Sequence, residues 1–442
     1  MNIEAFIDRL FEYAEARGLK EYQVSYAKNE NSDIQVFNQE IFKQSDNTLM
    51  ILSFAVRVNG KIGRFTTERF DTEDVKRVVD EAVANAEIME CDEEFFFYDG
   101  AGNYPTVVKH RPQVERLEKF DKIAFLKRLE KETYVADKRV NKVISTQYYS
   151  SLSQAIMRNS LGLNLKDETI RAGAYVYASA QNGSEVKTYG DGVCFDKEED
   201  FNSKRLAEKV VKKLVSRLGA EDTYSRKAPL VFENKVFASI LGSIYGMFSS
   251  YAVDTGKSKL AGKIGELIAS PKVSIIDNPW LENGFATSAF DSEGVPTQYK
   301  ELVKDGVLQG FLYGLSMAHK HHTQSTGNGT GGLGSRVFNF YLKNGTCPRE
   351  ELLRKLGDGV YIDKLNGLSG SISLVSGNFS MGAEGYRVKD GKLGVYLNQF
   401  TISGNIYDVL KDIEEIGDDL DFDCSPLGSP SVLVKNITVA NN

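Results

Sequence analysis

The chain has 442 residues, enough for roughly two or three domains, and its 54 basic against 61 acidic residues give a net charge of −7. That balance argues against a general nucleic-acid binder, whose affinity comes from cations on phosphates. With 41% hydrophobic and 11% aromatic residues, the chain can bury a sizeable core, which excludes a disordered class.

The opening "MNIEAFIDRLFEYAEARG" puts Phe6, Ile7, Leu10 and Phe11 at helical spacing and carries Glu4, Asp8 and Arg9 within the pattern. It reads as an amphipathic first helix over about 3–16, not as a secretory leader. Strand-like stretches follow: "YQVSYA", "DIQVFNQ", "TLMILSFAVRV" and "IGRFTT". A second helix, "TEDVKRVVDEAVANAE", has Val75, Val78, Val79 and Ala82 on one face. Thr72 is its expected N-cap, with Glu73 and Asp74 at the positive helix start.

The same order then recurs. "KFDKIAFLKRLEKETYVAD" is helical, three strand-like stretches span about 143–194, and "NSKRLAEKVVKKLVSRLG" closes the second unit before Gly219. Helix, meandering antiparallel strands and helix, twice over, imply a duplicated N-terminal region over 1–220, with similar modules at about 1–90 and 115–220. A polar connector joins them; it contains His110 and the aromatic run Phe95–Tyr98.

From about 225 the character changes. "VFASILGSIYGMFSSYAV" is 18 residues without a charge. Its serines, glycines and tyrosines fit a buried core helix better than a membrane span, which needs about 20 predominantly apolar residues. Many strands with glycine-bearing turns follow. "KDG" at Lys304–Gly306 and at Lys389–Gly391 predicts hairpins, and short helices are expected at "PREELLRKL" and "NIYDVLKDIEEIG". The fold class is therefore α+β, with a β-rich C-terminal domain over 225–442 built around a buried helix.

Chemistry is sparse. His319, His321 and His322 crowd into "MAHKHHTQSTGNGTGG", and imidazole suits transition metals. No HExxH is present, and no glutamate adjoins them. "GNGTGG" is followed by a strand-like run, which a dinucleotide loop is not, and no GxxxxGK[ST] occurs. No GxSxG elbow supports a serine nucleophile. Cys91, Cys194, Cys347 and Cys424 are scattered without a CxxC pair. No disulfide framework is expected, and a reducing cytosol fits. Cys424 could be a nucleophile, yet nothing local is arranged to lower its pKa.

The C-terminal run carries a specific resemblance. Glu293–Pro296, Asp305–Gly310 and Thr326–Asn328 follow the order of an acidic-Gly-x-Pro stretch, an "NG-L-G" hairpin and a "TGN" glycine loop. "SGNFSMGAEGYRVKDGK", "TISGNIYDVLKDIEEIG" and "SPSVLVKNITVANN" supply further landmarks in order. Over essentially its whole length the chain resembles the TldD/PmbA family, once called modulators of DNA gyrase. The resemblance implies two branches. The TldD-like branch is a zinc metallopeptidase with HExxxH on a helix and a cysteine ligand near the chain end. The TldE (PmbA) branch lacks the motif and pairs with TldD. Aligned on "SKLAGKIGEL", the two histidine positions are Leu241 and Gly246 and the glutamate position is Gly242. None of the three can ligate zinc or serve as a general base. Cys424 falls about where the active branch has its cysteine, and alone it cannot hold a metal.

The resemblance thus implies a TldE-like, non-catalytic subunit without zinc of its own, zinc being carried by a TldD-like partner. The complex would act in the cytoplasm on short or unfolded peptides, in peptide maturation and antitoxin degradation. Neither nucleic acid nor membrane is an expected partner, and a homodimer is expected when the chain is alone. Thr326, Gly327, Asn328 and Gly329, with His319 and His322, are the candidate peptide or partner contacts. Two other readings stay open: a stand-alone metallohydrolase using His319, His321, His322 and Cys424, and a gyrase-modulating binding protein.

Overall fold

The computed structural model describes residues 2–90, 94–109 and 117–441. His110 and Cys91 lie outside them. The N-terminal elements are α1 (Ile3–Ala16), β1 (Glu21–Phe37), β2 (Glu40–Val58), β3 (Lys61–Thr67) and α2 (Asp74–Ile88). The order recurs as α3 (Lys119–Ala136), β4 (Val140–Asn159), β5 (Asn164–Asn182), β6 (Glu185–Cys194) and α4 (Ser203–Val215). The two sets of strands do not form separate sheets. They fuse into one six-stranded antiparallel sheet, ordered β3-β2-β1-β4-β5-β6, in which β1 and β4 pair from Gln23↔Asn159 to Val36↔Thr146. Each module alone would leave a long strand edge exposed, and pairing the two first strands removes both edges at once.

Alternation along β1 assigns the faces. Val24, Tyr26, Ile34 and Val36 point to one side, where α1 and α2 cover the first module and α3 and α4 the second. Gln23 and Ser25 point the other way, toward the C-terminal half. Helix α1 has the predicted bounds, capped by the Asn2 side chain on the Glu4 amide. Helix α2 starts at Asp74 with Glu73 at the N-cap position and no side-chain cap. The Thr72 hydroxyl accepts from Arg9 instead, so a tertiary contact takes the expected cap.

The C-terminal half begins with β7 (Arg226–Phe232), α5 (Asn234–Ile244) and α6 (Ser250–Asp254). The uncharged segment is buried as expected but is not one helix. After α5 it tightens into a 3-10 turn, Tyr245–Phe248, and breaks at Ser249, whose backbone is extended. The Ser250 amide bonds to the Leu312 carbonyl, a non-local partner that holds the break open. Next come β8 (Ile275–Asp277), β9 (Lys300–Lys304), β10 (Val307–Leu308), α7 (Leu315–Lys320) and β11 (Phe340–Leu342). The remainder is α8 (Arg349–Leu356), β12 (Gly359–Asn366), β13 (Asn378–Lys389), β14 (Lys392–Asn405), α9 (Ile406–Lys411), β15 (Ile413–Ile416), β16 (Leu427–Gly428) and β17 (Val432–Asn441). Both KDG hairpins form, with Asp305 and Asp390 at φ 47° and 50° ahead of their glycines. The last expected helix stops at Lys411, and "IEEI" continues as β15 against β17.

Two sheets result. One is ordered β10-β9-β8-β11-β16; the other is β14-β13-β12-β7-β17-β15, with an added β14–β17 pairing that closes five of its strands into a barrel. Helix α5 sits in the core common to both. Phe237, Leu241 and Ile244 pack with Leu230, Phe340 and Phe400, all fully buried.

Candidate functional site

The positions where the resemblance expects zinc chemistry lie on α5 and the turn after it. Leu241 is fully buried in the core. Gly242 faces the Leu427 side chain so closely that an added Cβ would stand 2.3 Å from Leu427 Cδ1. At Gly246 a Cβ would meet Leu374 at 3.2 Å. Apolar packing therefore occupies the place where donor atoms would converge. Cys424 lies three residues before Leu427, and its sulfur is bonded to that of Cys194, 230 residues away in sequence. This corrects the expectation of no disulfide: the topology brings the end of β6 against the 418–426 loop, with Cα atoms 5.6 Å apart. Cys347 is buried. Among the described residues, no three His, Cys, Asp or Glu side chains are grouped to hold a metal.

Beside the disulfide runs a cleft of about 460 Å³ between β5, β6 and the loops at 281–287 and 420–425. Lys109, Arg171, Lys209 and Asp423 line it. The Arg171 guanidinium lies 3.9 Å over the Phe285 ring and bonds the Phe285 carbonyl at 2.7 Å. Lys235, on α5, bridges Asp191 of β6 and Asp423 of the loop, so charge as well as the covalent bond ties the two halves here.

The TGN loop is built into the interior. Gly327 has φ 68°, and an added Cβ would meet the Pro296 carbonyl at 2.4 Å, so only glycine fits. The Thr326 hydroxyl donates to Asn328 Oδ1 at 2.8 Å. Asn328 is fully buried, and its Nδ2 donates to Asp277 Oδ2 and the Arg336 carbonyl, both at 2.8 Å. Beneath it Lys300 stands 3.4 Å from Asp277, and burial pushes both side chains toward their neutral forms. The Gly329 amide donates to Asp291 Oδ2 at 2.6 Å, and Asp291 Oδ1 accepts from the amides of Glu293 and Val295. Burial raises Asp291 to about 6 against the pull of these three amides. Glu293 accepts from the Leu315 amide at 2.7 Å. Burial, then the Asp291 charge, raises it to about 7. The loop and its Glu293–Pro296 neighbour thus form one hydrogen-bonded block. A cavity of about 220 Å³ separates the block from Gln23, Ser25, Ser53 and Arg64 of the N-terminal sheet.

The three histidines diverge at the end of α7. The His319 ring lies against Phe96, centres 4.4 Å apart and planes tilted by 42°, His321 Nε2 lies 3.2 Å from Asp254 Oδ1, and His322 is exposed at φ 51°. His319 and His322 lie on the surface, whereas Gly327, Asn328 and Gly329 are interior. Sequence reasoning passed over Asp277, Asp291, Lys300 and Cys194. The spacing Asp291-x-Glu293 was the one readable signal among them; the others are joined only by tertiary contact.

Comparison with known proteins agrees with this architecture. Residues 225–441 match the model for the PmbA/TldA metallopeptidase C-terminal domain, and residues 113–218 match the model for the central domain. The chain belongs to the PmbA/TldD family. It is 26% identical to a Metalloprotease PmbA homolog of Buchnera aphidicola, over 94% of this chain and 95% of that one. It is also 26% identical to Metalloprotease PmbA of Escherichia coli O157:H7, over 71% of this chain and 68% of the relative. A crystal structure from Thermotoga maritima that carries the gyrase-modulator name superposes with a TM-score of 0.91, at 29% identity, covering 99% of this chain and all of that one. TldE from Thermococcus kodakarensis, at 23% identity and a TM-score of 0.84 over 98% of this chain, shares the fold.

Proposed function

We propose that this PmbA/TldD-family chain is the non-catalytic, TldE-like subunit of a two-chain zinc metallopeptidase acting on short or unfolded peptides in the cytoplasm. One observation carries the reading: Leu241, Gly242 and Gly246 offer no ligand or base, and Leu427 fills the space above Gly242. A metallopeptidase needs metal ligands and a base to activate water, so the chemistry must come from a partner chain with HExxxH. No helix of the described residues is long and apolar enough to cross a membrane, which is compatible with a cytoplasmic place. In the complex, His319 and His322 offer surface contacts, and the Thr326–Gly329 block fixes the wall behind them. Extended peptides would bind by pairing along strand edges, which tolerates varied sequence. Alone, the chain would form a homodimer.

The test is reconstitution. The purified chain should carry no stoichiometric zinc and cleave no peptide, and hydrolysis should appear when an HExxxH-bearing chain from the same genome is added. About one zinc per chain, lost on changing His319 and His322 to Ala, would instead establish a stand-alone metallohydrolase.

A further inference from the structure

We propose that Cys194 and Cys424 form a reversible thiol–disulfide exchange site, whose substrate is a thiol entering the cleft between the central sheet and the C-terminal loop. Three observations converge on it. The disulfide is reachable: both cysteines are half-buried and line the cleft of about 460 Å³. The two sulfurs differ in surroundings. The Tyr149 hydroxyl lies 3.7 Å from Cys194 Sγ, where it can donate to a thiolate, and burial keeps that hydroxyl protonated by raising its pKa. Among the described residues no hydroxyl is paired with Cys424, which sits in a loop where Asp423 and Cys424 adopt φ 42° and 60° in succession. That left-handed pair disfavours two non-glycine residues. It is held by the disulfide and by the Lys235–Asp423 ion pair.

The asymmetry sets the direction of attack. An incoming thiolate bonds to Cys424 Sγ, the Cys424–Cys194 bond breaks, and Cys194 leaves as a thiolate stabilised by the Tyr149 O–H. A second thiolate then attacks the sulfur of the first thiol in the mixed disulfide and releases Cys424. Two thiols are oxidised to one disulfide, the protein disulfide is reduced to two thiols, and two protons pass from the former to the latter. Reduction removes the covalent tie between β6 and the loop that leads to Leu427, the side chain over Gly242. The 418–426 segment then relaxes, and the cleft widens.

The full-length chain tests this directly. Non-reducing digestion should yield a peptide joining Cys194 to Cys424. Native protein is then equilibrated with glutathione in one arm and with a reduced thioredoxin-type dithiol protein in the other, quenched with acid, alkylated and mapped by mass spectrometry. Cys194 and Cys424 should become alkylated together only after reduction, diamide added before the quench should restore their bond, and Cys347, a free thiol in both states, should be labelled equally throughout. The faster arm identifies a small monothiol or a protein dithiol as the reductant. Cys194→Ser treated with oxidised glutathione should hold a glutathione adduct on Cys424, reduced glutathione leaving as the second product, and Tyr149→Phe should slow reduction of the wild-type disulfide several-fold. Hydrogen exchange in 418–426 should accelerate in the reduced form. Failure to find the linked peptide in oxidised protein, or a linkage that yields only after the chain unfolds, would overturn the proposal. Zinc content and peptidase reconstitution are separate readouts, so this idea and the subunit reading fail independently.

Discussion

Glu293 shows what burial does to a single carboxyl. Its pKa in the folded chain, about 7, lies well above the ordinary 4.5. A raised carboxyl adds stability that is full below the unfolded value and is lost as pH rises through the folded one. Wild-type stability should therefore fall between about pH 4.5 and 7, and Glu293→Gln should lack the share Glu293 supplies while Asp291, raised to about 6, keeps its own. Urea denaturation at pH 5 and 8 should show the variant gaining about 2–3 kcal/mol on the wild type between the two; parallel slopes would refute the assignment. Gly242 poses the opposite problem, of space. Gly242→Glu forces a side chain into Leu427 and should cost about 1–3 kcal/mol of overpacking. Leu427→Ala in the same chain should return part of that loss in thermal denaturation. Placing His, Glu and His at 241, 242 and 246 alone should bind no zinc by elemental analysis, because Leu427 stands over Gly242 and Cys424 is bonded to Cys194.

Elements are joined by a few buried charges. Arg217, just past α4, is 2% exposed. It donates to Asp363 on β12 and Glu384 on β13 at 3.1 and 3.0 Å and lies 4.6 Å from the centres of the Tyr189 and Tyr396 rings. This residue bolts the second N-terminal module to the barrel. Arg217→Met would leave Asp363 buried without its cation and should cost about 3–5 kcal/mol. Adding Asp363→Leu should recover much of it, which a double-mutant cycle in urea would measure. The helices were legible because their apolar stripes are local, as with Phe6, Ile7 and Leu10 of α1. The break at Ser249 was not, because its cause is the Leu312 carbonyl more than sixty residues away. The short strand β15 was hidden for the same reason: "IEEI" has helical composition and turns extended only because β17 offers an open edge.

Across the whole molecule, the Cys194–Cys424 bond closes a loop of 230 residues. By chain entropy such a closure stabilises by about 5 kcal/mol. A Cys194→Ser/Cys424→Ser double variant should lower the urea midpoint accordingly, and reductant should have no further effect on it. The doubled helix–strand–helix order and the glycine-bearing hairpins of the second half follow from periodicity and turn residues, which need only neighbouring positions. So do the family landmarks and the absence of a metal-binding side chain at Leu241, Gly242 and Gly246. Fusion of the two modules through β1 and β4, closure of the barrel by β14 and β17, the pairing of the cysteines and the sinking of Asn328 onto Asp277 were decided by tertiary structure alone. Each joins residues too far apart in sequence for local pattern to register, and their energies exist only once the intervening chain has folded.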